Sequence, residues 1–345
     1  MNRILVAGDG QYEWFAPAWV KGLQTLGCDV EFIDWSKLSS SGPLGRLESR
    51  FMVGPGICRI NAELERSARR VKPDVVLIHN GYPVRTETVA RVAKEHWVTG
   101  FHHDDPFGRF GRRAYFRLYR RAIPFYNSHH VIRQENVVEY RELGVQHVKI
   151  LMTYYVPWLH VPFAGPGSRR TEWDRDVVFI GHGEPDHRIG YVKTLVEAGI
   201  GLQIFGPQKY WREYLPTEVY RRLPAIRPVV RDEYARTICR SKICLAFFSR
   251  GNRDRYAYRV FEIPACGGFL LAERSDVMMH LYKEGTEAEF FASSEELIDK
   301  TRFYVQNEEA RGRIARRGYE RCTTGGYDVI SRMKQWSADI KEFRG

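Results

Sequence analysis

The chain has no apolar run approaching the eighteen or so residues that cross a membrane, which argues against a helical span. It has no Cys-x-x-Cys pair. Its six cysteines (Cys28, Cys58, Cys239, Cys244, Cys266 and Cys322) are scattered, so neither a zinc ribbon nor a thioredoxin-like site is expected, and the thiols read as reduced and mostly buried. No sequence repeat or low-complexity tract is present, which excludes a solenoid. With 43% hydrophobic and 13% aromatic residues, disorder is excluded as well. The N-terminus enters a short apolar strand and a Gly/Asp turn without the long apolar stretch of a signal peptide, so a cytosolic protein is expected, with peripheral contact at the inner membrane face left open. Acid is in short supply: 42 Asp and Glu face 53 Lys and Arg, a net charge of +11. That balance favours an anionic partner, whether a nucleotide donor, an acidic lipid surface, a phosphorylated acceptor or nucleic acid.

A length of 345 residues exceeds what one hydrophobic core usually organises, and two domains are expected. Short apolar runs alternate with helix-period stretches: Ile4 to Ala7, Val30 to Ile33, Val75 to His79 and Trp97 to Phe101, with helices near Ala16 to Leu26 and Thr86 to Lys94. Almost wholly apolar strands alternating with helices indicate a parallel sheet covered on both faces, a Rossmann-like domain. The rhythm restarts after a Pro- and Gly-rich segment with Val177 to Ile180, Leu202 to Phe205, Ile243 to Phe247 and Phe269 to Leu271. The boundaries read as residues 1–156, a linker at 157–175, a second Rossmann-like domain at 176–326 and a C-terminal helix at 327–345. In that helix Ile330, Met333, Trp336, Ile340 and Phe343 share one face, which must dock on one domain or the other.

The stretch from Ser249 to Glu273 carries the chemistry. It follows a strand, passes through a polar Gly/Asn/Arg loop into a short helix, and ends in a Gly-Gly turn before another strand. A helix start after a strand offers free N–H groups to a pyrophosphate, the nearby arginines add forked donors, and Glu262, read as about two turns into the helix, can accept from the hydroxyls of a ribose. Together these suggest a nucleotide-diphosphate site. Arg259, Phe261, Glu262, Ala265, Cys266, Gly267, Phe269, Leu270 and Leu271 resemble the donor-site motif of family 4-type GT-B glycosyltransferases, in particular the CgeB-like (spore maturation protein) branch. The likeness extends to Asp176–Gly181, to His102-His103-Asp104-Asp105-Pro106, to Tyr155-Val156-Pro157 with His160, and to segments downstream of Glu284. Where that family carries an upstream glutamate, this chain has Asp254, and the usual phosphate-clamping Arg and Lys after Gly181 are replaced by His182, Arg188 and Lys193.

The resemblance implies two Rossmann-like domains facing across a cleft, the donor bound in the C-terminal one. The implied activity is transfer of a sugar from a nucleoside-diphosphate sugar to a hydroxyl, with no metal or other cofactor, and with retention preferred to inversion. Donor-binding candidates are Glu262, Arg259, Arg253, Asn252, Gly181, His182, Arg188 and Tyr258. Catalytic candidates are Asp105, Asp104, His103 and Asp254, and the Gly8-Asp9-Gly10 turn places Asp9 and Gly10 on the acceptor side. At helical spacing Arg109, Arg112, Arg113, Arg117, Arg120 and Arg121 fall within about half the circumference, with Tyr115, Leu118, Tyr119 and Ala122 on the other side, and a helix is expected from about Gly111 to Ala122. Arg113 and Arg117 are accordingly expected near an anionic acceptor or an anionic surface, with nucleic acid a lesser alternative. Competing readings are a GT-B-shaped nucleotide-sugar epimerase and a non-catalytic protein that binds a nucleotide or nucleic acid.

Overall fold

The computed structural model describes residues 2–109, 114–163 and 173–345. The chain divides into two compact units, Met1–Thr153 with Val329–Gly345, and Tyr154–Asp328. In the first unit β1 (Arg3–Gly8), β2 (Asp29–Asp34), β3 (Val75–His79), β4 (Trp97–His102), β5 (Ser128–Val131) and β6 (His147–Ile150) form a parallel sheet in the order β2-β1-β3-β4-β5-β6. Every residue of β3 is buried, because helices cover both faces of the sheet. Leu5, Val76, Ile78, Leu64 and Val89 lie in one core cluster of this unit.

The C-terminal helix Val329–Arg344 belongs to this first unit. Met333 packs against Gly22, where a Cβ would come within 3.0 Å of its Cγ. Asp339 of the same helix lies 3.2 Å from His130 Nε2 and 2.9 Å from Lys149 Nζ.

In the second unit β7 (Arg175–Ile180), β8 (Leu202–Phe205), β9 (Ser241–Ala246), β10 (Leu270–Glu273) and β11 (Glu289–Phe291) make a parallel sheet ordered β11-β10-β9-β7-β8. Phe179, Phe247, Phe269, Trp211 and Leu245 anchor its core. In both sheets the first strand of the unit lies between the second and the third. Successive crossovers therefore leave to opposite faces and open a crevice at the carboxyl ends of β1 and β3, and of β7 and β9. Among the described residues no helix is long and apolar enough to cross a membrane.

Candidate active site

Gly181 follows the last residue of β7. Its N–H donates to the Phe205 carbonyl at 2.8 Å and its own carbonyl accepts from Trp211 Nε1 at 3.0 Å. A Cβ here would stand 2.5 Å from Arg259 Nη2 and 2.8 Å from Phe179 Cζ. The missing side chain is what lets the Arg259 guanidinium lie over the strand end, its Cζ 5.7 Å from the Phe179 ring centroid. Among the described residues no carboxylate pairs with Arg259, and its buried Nε has no hydrogen-bond partner. A guanidinium in that state presents an unmatched fork that suits a phosphate.

One turn further on stands Glu262, 7% exposed, with Oε2 accepting from Tyr234 Oη and Oε1 3.8 Å from His160 Nε2. The Val156 N–H donates to His160 Nδ1 at 2.9 Å, so the neutral imidazole carries its proton on Nε2, toward Glu262. Burial holds the His160 imidazole below its ordinary range, with Glu262 pulling the other way, and burial pushes the Tyr234 hydroxyl well up. Tyr234 thus orients a carboxylate that the neutral His160 faces from beyond hydrogen-bond distance, and its remaining lone pairs can accept from ligand hydroxyls. Neither Tyr234 nor His160 was singled out for the site; His160 falls in the segment read as linker, and only its place in the family resemblance marked it.

The helix carrying Glu262 spans only Arg259–Ala265, which puts the glutamate in its first turn and not two turns in. Its early amides are also already used: Val260 N–H donates to the Ala257 carbonyl, and Phe261 and Glu262 N–H to that of Tyr258. The expectation of free N–H groups for a pyrophosphate there is therefore corrected, and the cationic role falls to side chains. Gly267, at φ +69°, closes the helix ahead of β10.

The loops after β7 and β9 are laced together by carboxylates. Glu184 Oε2 accepts from Ser249 Oγ at 2.6 Å, Asp186 Oδ2 from Arg250 N–H at 3.3 Å, and Glu273 Oε1 from Phe248 N–H at 3.1 Å while meeting His187 Nε2 at 2.7 Å. Arg188, expected at the phosphates, is buried in this lacing. Its Nη1 lies 3.2 Å from Glu184 Oε1, its Nε 2.9 Å from Asp186 Oδ1, and it donates to the His182 carbonyl at 3.1 Å. Two acids of its own loop neutralise it, so it braces the loop. His182 is exposed, 5.8 Å from the Tyr210 ring. Asn252 and Asp254 turn back on Ser249 through their N–H groups, at 3.1 Å to its Oγ and 2.8 Å to its carbonyl, with Arg253 between them in a left-handed conformation, φ +51°. Tyr258 sets its ring edge-on to Tyr154 at 5.3 Å. Gly181, Arg259 and Glu262 are thus brought to one strand end, while Asn252, Arg253 and Asp254 form the turn after β9.

In the first unit, the turn after β1 is drawn tight: Gly10 N–H donates to Asp34 Oδ1 at 2.9 Å, and Asp9 Oδ1 accepts from Gln11 N–H at 2.8 Å. His103 stacks on Phe15 with centroids 4.6 Å apart and lies 3.2 Å from Asn80 Nδ2. Asp104 Oδ2 accepts from Tyr82 Oη at 2.6 Å; burial would raise its pKa, but His103, His102, Tyr82 and Arg133 together hold it down at about 2. Asp105, a candidate base, is fully buried, and its Oδ1 accepts from Phe107 N–H and Asn136 Nδ2, each at 2.9 Å. It caps its loop. On the helix Ala114–Ala122, Arg117 is exposed, but Arg120 turns back to donate to the Pro106 carbonyl and lies over the Phe107 ring, so the arginines do not form one free face. Arg112 and Arg113 lie outside the described residues. Among the described residues no group of three or more His, Cys, Asp or Glu side chains is arranged to hold a metal ion.

Residues 188–338 match the glycosyl transferase-like family. No curated protein matches the chain. Among solved structures, the sucrose-phosphate synthase of Thermosynechococcus elongatus is similar at 11% identity with a TM-score of 0.66, covering 99% of each chain. Anabaena HepE, solved in complex with UDP-glucose, is similar at 13% identity and a TM-score of 0.66, covering 99% of this chain and 100% of its own. A glycosyltransferase from Rickettsia africae follows at 10% identity and 0.65, covering 99% and 98%. The fold is that of GT-B glycosyltransferases, α/β with two parallel sheets, and the family-matched segment contains both Arg259 and Glu262.

Proposed function

We propose that this chain is a glycosyltransferase that binds a nucleoside-diphosphate sugar at the carboxyl end of the second sheet and transfers the sugar to a hydroxyl acceptor. The observation that carries the reading is the pairing, one helical turn apart, of an oriented buried carboxylate, Glu262, with a guanidinium, Arg259, that no described carboxylate neutralises. Glu262 accepts from the ribose hydroxyls and Arg259 meets the diphosphate. As the glycosidic bond breaks, the electron pair goes to the departing diphosphate, whose growing charge Arg259 stabilises without help from a metal. The acceptor oxygen forms the new bond at the anomeric carbon, and its proton passes to the departing phosphate. We place retention ahead of inversion because two of the candidate bases are poor ones: Asp105 is enclosed, and Asp104 at about 2 has little driving force to take a proton. The Arg259–Leu271 motif supports the CgeB-like branch within the wider family.

Calorimetry with a panel of nucleoside diphosphates and their sugars, headed by UDP-glucose, tests the reading. One of the panel should bind, its sugar should be slowly hydrolysed without acceptor, and Glu262→Ala should weaken binding by about 1–3 kcal/mol. Binding by none of the panel, or unaltered affinity in the variant, refutes it. Binding without any turnover would favour the non-catalytic alternative.

A further inference from the structure

Four of the large apolar side chains exposed on this protein stand within ten residues of one another: Leu44 (49% exposed), Leu47 (56%), Phe51 (50%) and Val53 (60%). Three of them belong to the helix Gly42–Phe51. At about 100° per residue, Leu44, Leu47 and Phe51 fall within an arc of about 60° that borders the buried side of the helix, Glu48 lying about 40° beyond Leu44. That inner side is set by Gly45, which closes on the Ser40 carbonyl, and by Glu48, which is buried and accepts from Gly56 N–H at 3.0 Å. Nothing in the fold of the first unit requires these leucines and this phenylalanine in water, and a contiguous apolar row of this kind marks a contact surface.

The charges beside the row say what it contacts. Arg46 and Arg50 are exposed along its flank on the same helix. The helix Ala114–Ala122 packs beside it and exposes Arg117 and Arg121. The one acid in these two helices is Glu48, and it is buried, so their outer faces carry cations and apolar groups and no carboxylate. A second copy of the chain would bring its own arginines against these, like charge on like. A bilayer with anionic lipids accepts both halves at once, the apolar row entering the boundary between headgroups and acyl chains while the guanidinium groups meet lipid phosphates. We propose that this face of the first unit docks on an anionic membrane surface. The inference is independent of the donor-site reading, since none of its residues lies in the second unit.

Flotation of the full chain with phosphatidylcholine vesicles, with and without phosphatidylglycerol, tests it, together with light scattering of the protein alone. Binding should require phosphatidylglycerol and weaken as salt rises. The triple variant Leu44→Ser, Leu47→Ser, Phe51→Ser should bind more than tenfold more weakly, and Arg117→Glu with Arg121→Glu about fivefold more weakly per residue. Absence of phosphatidylglycerol-dependent flotation by the wild type at low salt overturns the proposal. So does wild-type flotation by the triple variant, which would reduce the surface to plain charge, and so does self-association that the triple variant abolishes, which would make the face a protein interface. A melting temperature near that of the wild type shows the triple variant to be folded; if it is not, the arginine pair and the wild-type salt titration decide alone.

Discussion

Replacing Arg259 by methionine removes the guanidinium while keeping an unbranched chain against Phe179. In the free protein this cation has no described carboxylate partner, and its buried Nε has no acceptor. Loss of the contact over the Phe179 ring costs about 0.5–1 kcal/mol, and relief of the unmatched donor, of about 1–3 kcal/mol, offsets it. The melting temperature should therefore not fall, since the net lies between about zero and about 2.5 kcal/mol in favour of the variant and about 1 kcal/mol shifts a unit of this size by about 2–4 °C. Binding should suffer far more. Charge-assisted hydrogen bonds of about 1.5–3 kcal/mol to a diphosphate disappear, and the Kd for the nucleotide diphosphate should rise about 10- to 150-fold. Calorimetric titration and thermal melts of the same preparation measure both quantities. An unchanged Kd with a melting point lowered by more than roughly 5 °C would show that Arg259 serves the fold and that the phosphate assignment is wrong.

The first unit should lose stability in mild acid. Burial holds His102 and His129 at about 3, so below the ordinary 6.5 the unfolded chain takes up protons that the folded one refuses. Each histidine then costs about 2 kcal/mol by about pH 5, whereas above about 6.5 neither adds a slope. His79 and His130 act in the same direction, and the contribution of Asp104 is lost only below its own ordinary value of 3.8, outside this window. Denaturant titrations at about pH 7.5 and about pH 5 giving equal stability would contradict this. Arg188→Met should leave Glu184 and Asp186 without the cation that neutralises them, destabilising the second unit by about 3 kcal/mol. A variant that melts like wild type and only binds nucleotide more weakly would return Arg188 to the phosphates. Turnover should survive EDTA, because cationic side chains serve the leaving group; loss of activity restored by manganese or magnesium would overturn the metal-independent scheme.

What the amino-acid order determined by itself is whatever depends on local pattern. The runs at Ile4 to Ala7, Val75 to His79, Val177 to Ile180 and Leu202 to Phe205 are strands in the structure because a parallel strand covered on both faces must be apolar along its length. The strand at Ser128–Val131 escaped that logic. Its letters are Ser-His-His-Val, and it is buried throughout only because the Ile123 carbonyl meets His129 Nε2 at 3.1 Å and Asp339, far along the chain, meets His130. The same limit governed the site. Arg188 and Arg259 are the same residue type near one strand end, yet tertiary structure gives the first two carboxylates and, among the described residues, the second none. Asp104 and Asp105 are neighbours in the sequence, and only the fold closes Asn136 on the second. His160, in a segment that reads as linker, reaches Glu262 because burial and hydrogen bonding in the folded unit join positions that no spacing rule connects. Local periodicity can place a carboxylate on a helix after a strand, but which charges remain unmatched is a property of the folded neighbourhood.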